Sequence, residues 1–188
     1  MARQTAISIN TIPIGPLGII GMPGCEELTD KIDQYLVKWR KTQAIEHAES
    51  IAFFGYQRDS YKIDITIPRF GSGEGKGVIN ESVRGYDIYI VCDVFNYSCT
   101  YNMYGKEVCM SPDDHFADLK RVISALCSKP KRVSVIMPML YEGRQHKRSS
   151  RESLDCAMAL KELVHLGVEN IITFDAHDQR VQNAIPDK

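Results

Sequence analysis

One segment of the chain concentrates positive charge beside an amide, a combination that could bind a polyphosphate. The run from Gly143 to Arg151 carries four permanent cations, Arg144, Lys147, Arg148 and Arg151, together with Gln145. It overlaps Ser149-x-x-Glu152, a capping-box pattern that predicts a helix N-terminus at this point. Cations and free N–H groups there favour bound phosphate. A solvated basic loop is the alternative, because runs of charge commonly face water.

A second polar segment directly follows a short apolar run near the end of the chain. It reads Asp175-Ala176-His177-Asp178 and offers two carboxylates and an imidazole. Such a set could hold Mg²⁺ directly or through its waters, since Mg²⁺ usually keeps several waters and shares its shell with substrate phosphates. The alternative is that His177 is a surface residue and that Asp175 caps the residues after it.

A glycine-rich loop is the third candidate. Residues 69–76 place an aromatic ring, Phe70, and an acid, Glu74, among flexible glycines, and these groups could recognise a nucleotide base. The loop matches neither the P-loop nor the dinucleotide-binding pattern. An ordinary hairpin turn between two strands is therefore the alternative.

The elements that must position these segments alternate between helix and strand. Ile32, Tyr35, Leu36 and Trp39 predict an amphipathic helix from Leu28, with Glu26 and Glu27 in its first turn. Apolar and polar residues alternate over residues 63–67, which predicts a half-buried strand. The apolar run 88–92 predicts a strand covered on both faces. Residues 44–54 are a possible further helix, and 55–60 a turn.

The second half continues the alternation. Ser111 and Pro112 predict a helix start, followed by a buried stripe of Phe116, Leu119, Ile123 and Leu126. Residues 133–137 predict a strand, Ser149 opens a helix with Ala157, Leu160 and Val164 inward and Gly167 at its end, and residues 171–174 predict a last strand. The expected fold is α/β, with a parallel sheet and helices on both faces. Ligands of such sheets bind beyond the carboxyl ends of the strands, where all three polar segments begin.

Composition restricts the class of protein. The 188 residues carry 23 Lys and Arg against 24 Asp and Glu, a net charge of −1, which disfavours a nucleic-acid binder. The six cysteines form no Cys-x-x-Cys pair and no leader pattern precedes the domain, so we expect a cytoplasmic protein with free thiols. The longest apolar run, residues 17–22, is far shorter than the roughly 20 residues that span a bilayer, and no membrane partner is expected.

The three polar segments together resemble those of ribose-phosphate pyrophosphokinases, the phosphoribosyl pyrophosphate (PRPP) synthetases. Arg69-Phe70 and the run Asn80-Glu81-Ser82-Val83-Arg84-Gly85 resemble a base-binding loop and the strand entry after it. Arg144-Gln145 with Ser150-Arg151-Glu152, and Asp175-Ala176-His177 with Ile185-Pro186, resemble the family's two later motifs. The resemblance runs from about Gly21 to the last residue.

The resemblance implies transfer of the diphosphoryl group of Mg·ATP to the 1-hydroxyl of ribose 5-phosphate, on a phosphoribosyltransferase-like fold. The implied ATP-binding residues are Phe70, Ser72, Glu74, Arg144, Gln145 and Arg151. His177 and Asp175 would bind Mg²⁺, or Mn²⁺ in its place. Phe70 and Glu74 would hold adenine from a neighbouring subunit, which implies a homo-oligomer.

Some positions depart from the family pattern. Ser72 replaces an Asp, His146 follows Arg144-Gln145 where the family has Asp, and residues 41–61 and 97–109 resemble insertions. The family's second half, which binds ribose 5-phosphate and PRPP, has no counterpart in residues 1–188. We therefore interpret the chain as an N-terminal, ATP-side domain that is inactive alone, with no catalytic residue assigned. A non-catalytic regulatory subunit is the alternative, and a phosphoribosyltransferase is a third.

Overall fold

A computed structural model describes residues 13–46 and 57–185. Its elements in chain order are β1 (Leu17–Gly21), α1 (Glu26–Glu46), β2 (Ile65–Thr66), β3 (Val78–Ile79), β4 (Asp87–Val91), β5 (Thr100–Met103), β6 (Lys106–Cys109), α2 (Pro112–Ala125), β7 (Arg132–Ile136), α3 (Asp155–His165), β8 (Asn170–Ile172) and a 3-10 helix (Gln179–Ala184).

Four parallel strands form the central sheet, in the order β1-β4-β7-β8. The register pairs Ile19 with Tyr89, and Val135 with both Ile90 and Ile171. On the other side of β1 the chain adds a single parallel bridge between Ile19 and Lys62. The direction of winding therefore reverses at β1, which makes the domain doubly wound.

Apolar side chains from both faces of the sheet are covered by helices, as the sequence predicts. Alternate residues such as Ile90 and Val135 pack with α2 and α3 in the larger core. Ile19 and Val91 point to the opposite face, where Ile32 and Leu36 of α1 pack against them. Burial on both sides explains the nearly continuous apolar sequence of β4.

Helix α2 confirms its sequence prediction in detail. The Ser111 side chain accepts a hydrogen bond from the Asp114 backbone N–H at 3.1 Å, and the Ser111 N–H donates to Asp114 Oδ2 at 2.8 Å. The capping box is thus complete. All four residues of the predicted buried stripe, from Phe116 to Leu126, are buried.

The prediction for α3 is wrong in its start and in its buried face. The helix begins at Asp155, and the residue before it, Leu154, makes no side-chain cap hydrogen bond. Ser149 lies in a bend and Glu152 in the irregular segment after it, both exposed, so the cations from Arg144 to Arg151 precede the helix without reaching its N-terminus. Ala157 and Val164 are only partly buried, and the inward face is instead Cys156, Ala159, Leu160 and Leu163.

Two small antiparallel hairpins lie outside the central sheet. The predicted strand at residues 63–67 is regular only at β2, which pairs with β3, although the alternating burial of Ile63, Ile65 and Ile67 is as expected. The glycine-rich loop joins β2 to β3. The β5–β6 hairpin, within the predicted insertion, is not anticipated from sequence, and neither is β1, whose Gly18 and Gly21 lower its strand propensity.

Helix α1 covers its predicted start and continues to Glu46. Tyr35, expected on its buried face, is 69% exposed. The possible helix and turn at residues 44–60 lie partly outside the described residues, which resume at position 57. Across the described ranges, no helix combines the length and apolar composition needed to cross a lipid bilayer.

Candidate functional site

A cleft of about 280 Å³ lies at the carboxyl edge of the central sheet. Its walls come from Phe95 after β4, Pro112 at the start of α2, residues 139–144 after β7, and Asp175 and His177 after β8. Three of the residues predicted from sequence, Arg144, Asp175 and His177, therefore meet here. They meet because parallel strands deliver their following loops to one edge of the sheet.

A tight turn after β7 brings Arg144 to the cleft. The Gly143 N–H donates to the Leu140 carbonyl at 3.1 Å, and the Gln145 N–H donates to the Glu142 carbonyl at 2.9 Å. A β-carbon at Gly143 would lie 3.1 Å from the Leu140 oxygen, so this close approach suits glycine. Glu142 has a φ of +55°, a conformation that non-glycine residues adopt mainly at constrained sites.

Tyr141 ties this turn to α2. Its ring stacks on Phe116 with centroids 4.3 Å apart, and its hydroxyl donates to Asp113 Oδ1 at 2.6 Å. Burial and the bond to Asp113 raise the pKa of Tyr141 well above its usual range, so it remains a phenol and a hydrogen-bond donor. No local sequence pattern indicates a role for Tyr141, because its partners Asp113 and Phe116 belong to α2, which is distant in sequence.

Glu142 gives the cleft an acidic flank that no sequence pattern indicates. Burial raises the pKa of its carboxyl, and the carboxylates of Asp155 and Asp113 raise it further. The cleft wall therefore holds a carboxyl group, that of Glu142, beside the cation of Arg144.

The loop after β8 is joined to the loop after β7. The Leu140 N–H donates to the Asp175 carbonyl at 3.1 Å, and Met139 bridges to Asp175 as in a parallel sheet. Asp175 Oδ1 accepts the His177 N–H at 3.1 Å, and His177 has a φ of +41°. This backbone constraint presents the His177 ring at the cleft wall.

The second carboxylate of the predicted metal group, Asp178, has other partners. It accepts from Arg180 Nη2 at 2.6 Å and lies 3.2 Å from His146 Nε2. Arg180 holds the pKa of Asp178 well below its usual range. The His146 ring lies 5.6 Å from the His177 ring, and its buried Nδ1 has no hydrogen-bond partner. Asp178 therefore supports the loop and is not a wall of the cleft.

Asp175 and His177 place a carboxylate and an imidazole on the wall of the cleft, two groups that could bind a divalent cation together with a ligand. In the described part of the chain, no three or more His, Cys, Asp or Glu side chains are grouped so that they could hold a metal ion. Two donors at a cleft wall are, however, the number expected where Mg²⁺ keeps several waters and binds phosphate oxygens of the substrate. Mn²⁺ prefers similar ligands and tolerates imidazole nitrogen.

The remaining predicted residues are not among those that line this cleft in the single chain. Phe70, Ser72 and Glu74 are on the loop between β2 and β3, and none of them lines the cleft. Gln145 is half-buried, and Arg151 is exposed in the bend before α3. The structure thus separates the predicted base-binding loop from the predicted phosphate and metal residues.

A larger cavity of about 620 Å³ lies beside α1 and β2, but its chemistry is unsuitable for a polyphosphate. Its wall includes the acids Glu26, Asp30, Asp64 and Glu81. Lys62, a cation of this wall, is paired with Asp30 at 2.6 Å. An excess of negative charge repels phosphate, so the cleft at Arg144 is the better candidate.

Fold and site together define a doubly wound α/β domain whose carboxyl-edge cleft is lined by Arg144, Asp175 and His177 among apolar residues. Residues 17–167 match the family model described as the N-terminal domain of ribose phosphate pyrophosphokinase. The chain belongs to this family.

Two relatives agree with this assignment. The chain is 27% identical over 122 residues to a ribose-phosphate pyrophosphokinase of Vibrio vulnificus, covering 63% of this chain and 34% of that protein. It is 28% identical over 117 residues to ribose-phosphate pyrophosphokinase B of Dictyostelium discoideum, covering 62% and 32%. It thus spans about a third of the length of these relatives.

A crystal structure of phosphoribosylpyrophosphate synthetase from Mycobacterium smegmatis shows the same fold. The TM-score is 0.63 at 20% identity, and the match covers 90% of this chain and 45% of that chain.

Proposed function

We propose that this chain is the ATP-side domain of a ribose-phosphate pyrophosphokinase. In the complete enzyme, the diphosphoryl group of Mg·ATP would pass to the 1-hydroxyl of ribose 5-phosphate, giving PRPP and AMP. The observation that carries the proposal is the meeting of Arg144 with Asp175 and His177 in one cleft. A fixed cation and a pair of metal ligands are what phosphoryl transfer requires, because its catalysis consists mainly of positioning and charge stabilisation.

Each residue has a proposed role in holding the nucleotide. The Arg144 guanidinium, exposed at the cleft, would donate to phosphate oxygens, and Gln145 and Arg151 are proposed as further donors. His177 and Asp175 would hold Mg²⁺ or Mn²⁺, which neutralises phosphate charge when bound. Tyr141, a phenol throughout the physiological range, would keep this wall in place through Asp113 and Phe116.

The adenine would be held by Phe70, Ser72 and Glu74 of a neighbouring copy. The support is that these side chains do not line the cleft of their own chain. A homo-oligomer would bring the two halves of the site together. The six cysteines are all free thiols, which fits the reducing cytoplasm proposed for this enzyme.

The test is calorimetric titration of the 188-residue chain with ATP and Mg²⁺. Arg144→Ala should weaken binding by about tenfold or more, because charge-assisted hydrogen bonds to phosphate contribute roughly 1.5–3 kcal/mol. Chelating Mg²⁺ should weaken it as well. The matched control is Arg148→Ala, which removes an exposed cation that does not line the cleft, and it should change the Kd less than twofold.

Equal, small effects of Arg144→Ala and Arg148→Ala would contradict the proposed site and favour a solvated basic loop. The chain alone should form no PRPP from Mg·ATP and ribose 5-phosphate, measured as AMP release. It covers only about a third of the length of its relatives, and the sugar-phosphate residues are proposed to lie in the other part. Turnover by the chain alone would contradict that division.

A further inference from the structure

We propose that Tyr104 is a second aromatic contact for the nucleotide base, beside Phe70. This inference rests on the proposed function and adds a residue from the β5–β6 hairpin, within the segment that resembles an insertion. We name as the base platform the loop residues 69–75 together with Met103, Tyr104 and Gly105. The base would belong to ATP bound in the cleft of a neighbouring copy.

The tip of the hairpin is attached directly to the glycine-rich loop. The Tyr104 N–H donates to the Gly71 carbonyl at 2.8 Å. A β-carbon on Gly73 would lie 3.0 Å from Met103 Sδ and 3.2 Å from Tyr101 Cε2, and Gly73 has a φ of +92°. The loop backbone at Gly73 therefore packs against the hairpin side chains of Met103 and Tyr101. Glycine is required at this position because a β-carbon would crowd these side chains and the positive φ is strained for other residues.

Arg69 connects the base platform to α2. Its guanidinium lies over the Tyr101 ring at 4.4 Å, donates to the Gly73 carbonyl at 3.1 Å, and pairs with Asp118 at 2.5 Å. Asp118 is 1% exposed, so the ion pair is anchored in the protein interior. Loop, hairpin and helix thus form one unit, and the hydrogen bond to Gly71 holds the Tyr104 backbone next to the residue that follows Phe70.

Tyr104 is an unsuitable residue for the turn that it occupies. Strands β5 and β6 are joined by two residues, Tyr104 with φ +51° and Gly105 with φ +77°, as in a type I′ turn. Asn, Asp or Gly is preferred at such a position because positive φ is strained for other residues. The ring is also 78% exposed, so it adds little to a core. Strain with no compensating burial indicates a role in binding.

The chemistry of the base platform suits a purine base. Phe70, which is 57% exposed, and Tyr104 both offer aromatic faces. Any nucleotide base can stack on such a face, because every base has a π-face of its own. Glu74 can accept a hydrogen bond from an exocyclic amino group such as that of adenine. The Ser72 hydroxyl donates to Glu74 Oε2 at 2.7 Å and orients that carboxylate. Tyr104 would therefore contribute affinity, and Glu74 would contribute preference for adenine.

The test compares Mg·ATP with Mg·tripolyphosphate, a ligand without a base, as titrants of the full 188-residue chain. Tyr104→Ala should raise the Kd for ATP about tenfold and leave the Kd for tripolyphosphate unchanged. Tyr104→Phe, which keeps the ring, should retain ATP affinity. Tyr35→Ala is the matched control, because Tyr35 is a similarly exposed tyrosine on α1.

The variant Tyr104→Asn distinguishes a loss of binding from a folding defect. Asparagine suits the type I′ turn, so this variant should melt at the same temperature or higher while losing ATP affinity as Tyr104→Ala does. If ATP binding depends on Arg144 but is unchanged in Tyr104→Ala, this inference fails and the proposed function stands. An equal loss of ATP and tripolyphosphate affinity also overturns the inference. If the wild-type chain binds neither ligand, both proposals fail.

Discussion

The segments before α2 and α3 both contain serine followed three residues later by an acid, but only the first of them leads directly into a helix. At Ser111 the hydrogen bonds run in both directions between serine and Asp114, and the helix starts at once. At Ser149 the backbone bond runs in one direction, with the Ser149 N–H donating to Glu152 at 3.2 Å, and the helix begins only at Asp155.

Burial explains the difference between these two segments. His115 and Phe116, close after Ser111, are buried, so the beginning of α2 is held against the core. Residues 150–153 are all exposed, and the first buried side chain after Ser149 is Cys156. A first helical turn is costly to form, and packing usually offsets that cost. In this chain, the capping pattern starts a helix at Ser111, where the next turn packs against the core, and not at Ser149, where the next turn is exposed.

The largest predicted effect tests the buried face of α3. Leu163 is 1% exposed, whereas Val164, expected inward from sequence, is only partly buried. Leu163→Ala should lower the free energy of unfolding by about 2–5 kcal/mol, because it leaves a cavity in the core. Val164→Ala should cost about 1 kcal/mol or less. Urea denaturation measures both values. A larger loss for Val164→Ala than for Leu163→Ala would show that the face predicted from sequence, which includes Val164, is the buried one.

The capping boxes themselves give an intermediate effect. Ser111→Ala should cost about 1 kcal/mol of stability, the usual value for loss of an N-cap side chain. Ser149→Ala should change stability by less than about 0.5 kcal/mol, because no helix begins there. Thermal or urea unfolding of the two variants is the measurement. Similar losses at both serines would mean that the segment after Ser149 forms a helical turn in solution.

The smallest effect is a pH dependence at the α2 box. Burial tends to raise the pKa of Asp114, but hydrogen bonds from the Ser111 N–H and hydroxyl, with Arg69 nearby, bring it below its usual value. A carboxyl with a lower pKa in the folded state stabilises the fold above its unfolded pKa, and this contribution is lost as the pH falls through the folded pKa.

The stability difference between wild type and Ser111→Ala should therefore shrink as the pH falls below about 4. Urea denaturation at a series of pH values from neutral to acidic measures this stability difference. Ser149→Ala is the control, and its stability should stay close to that of the wild type at every pH. A difference that grows toward low pH would show that Asp114 is not stabilised as a carboxylate.

The site residues also divide into those that local sequence could place and those that it could not. Arg144, Asp175 and His177 could be placed in one cleft from sequence, because each comes after a predicted parallel strand and such strands share a carboxyl edge. Tyr141 and His146 could not be assigned roles, because their partners Asp113 and Asp178 come from other elements. Tyr104 likewise acquires its position from a contact with Gly71 that no local pattern encodes.

Local chemistry in the sequence determined the α/β alternation, the α2 start with its serine, proline and acids, and the strand whose two faces are both buried. These features depend on neighbouring residues and on hydrophobic periodicity. Only the tertiary structure decided the start and inward face of α3, the reversal of winding at β1 and the attachment of the β5–β6 hairpin to the glycine-rich loop. Each of these depends on which distant apolar surface or hydrogen-bonding group comes close when the chain folds, and a local sequence pattern does not contain that information.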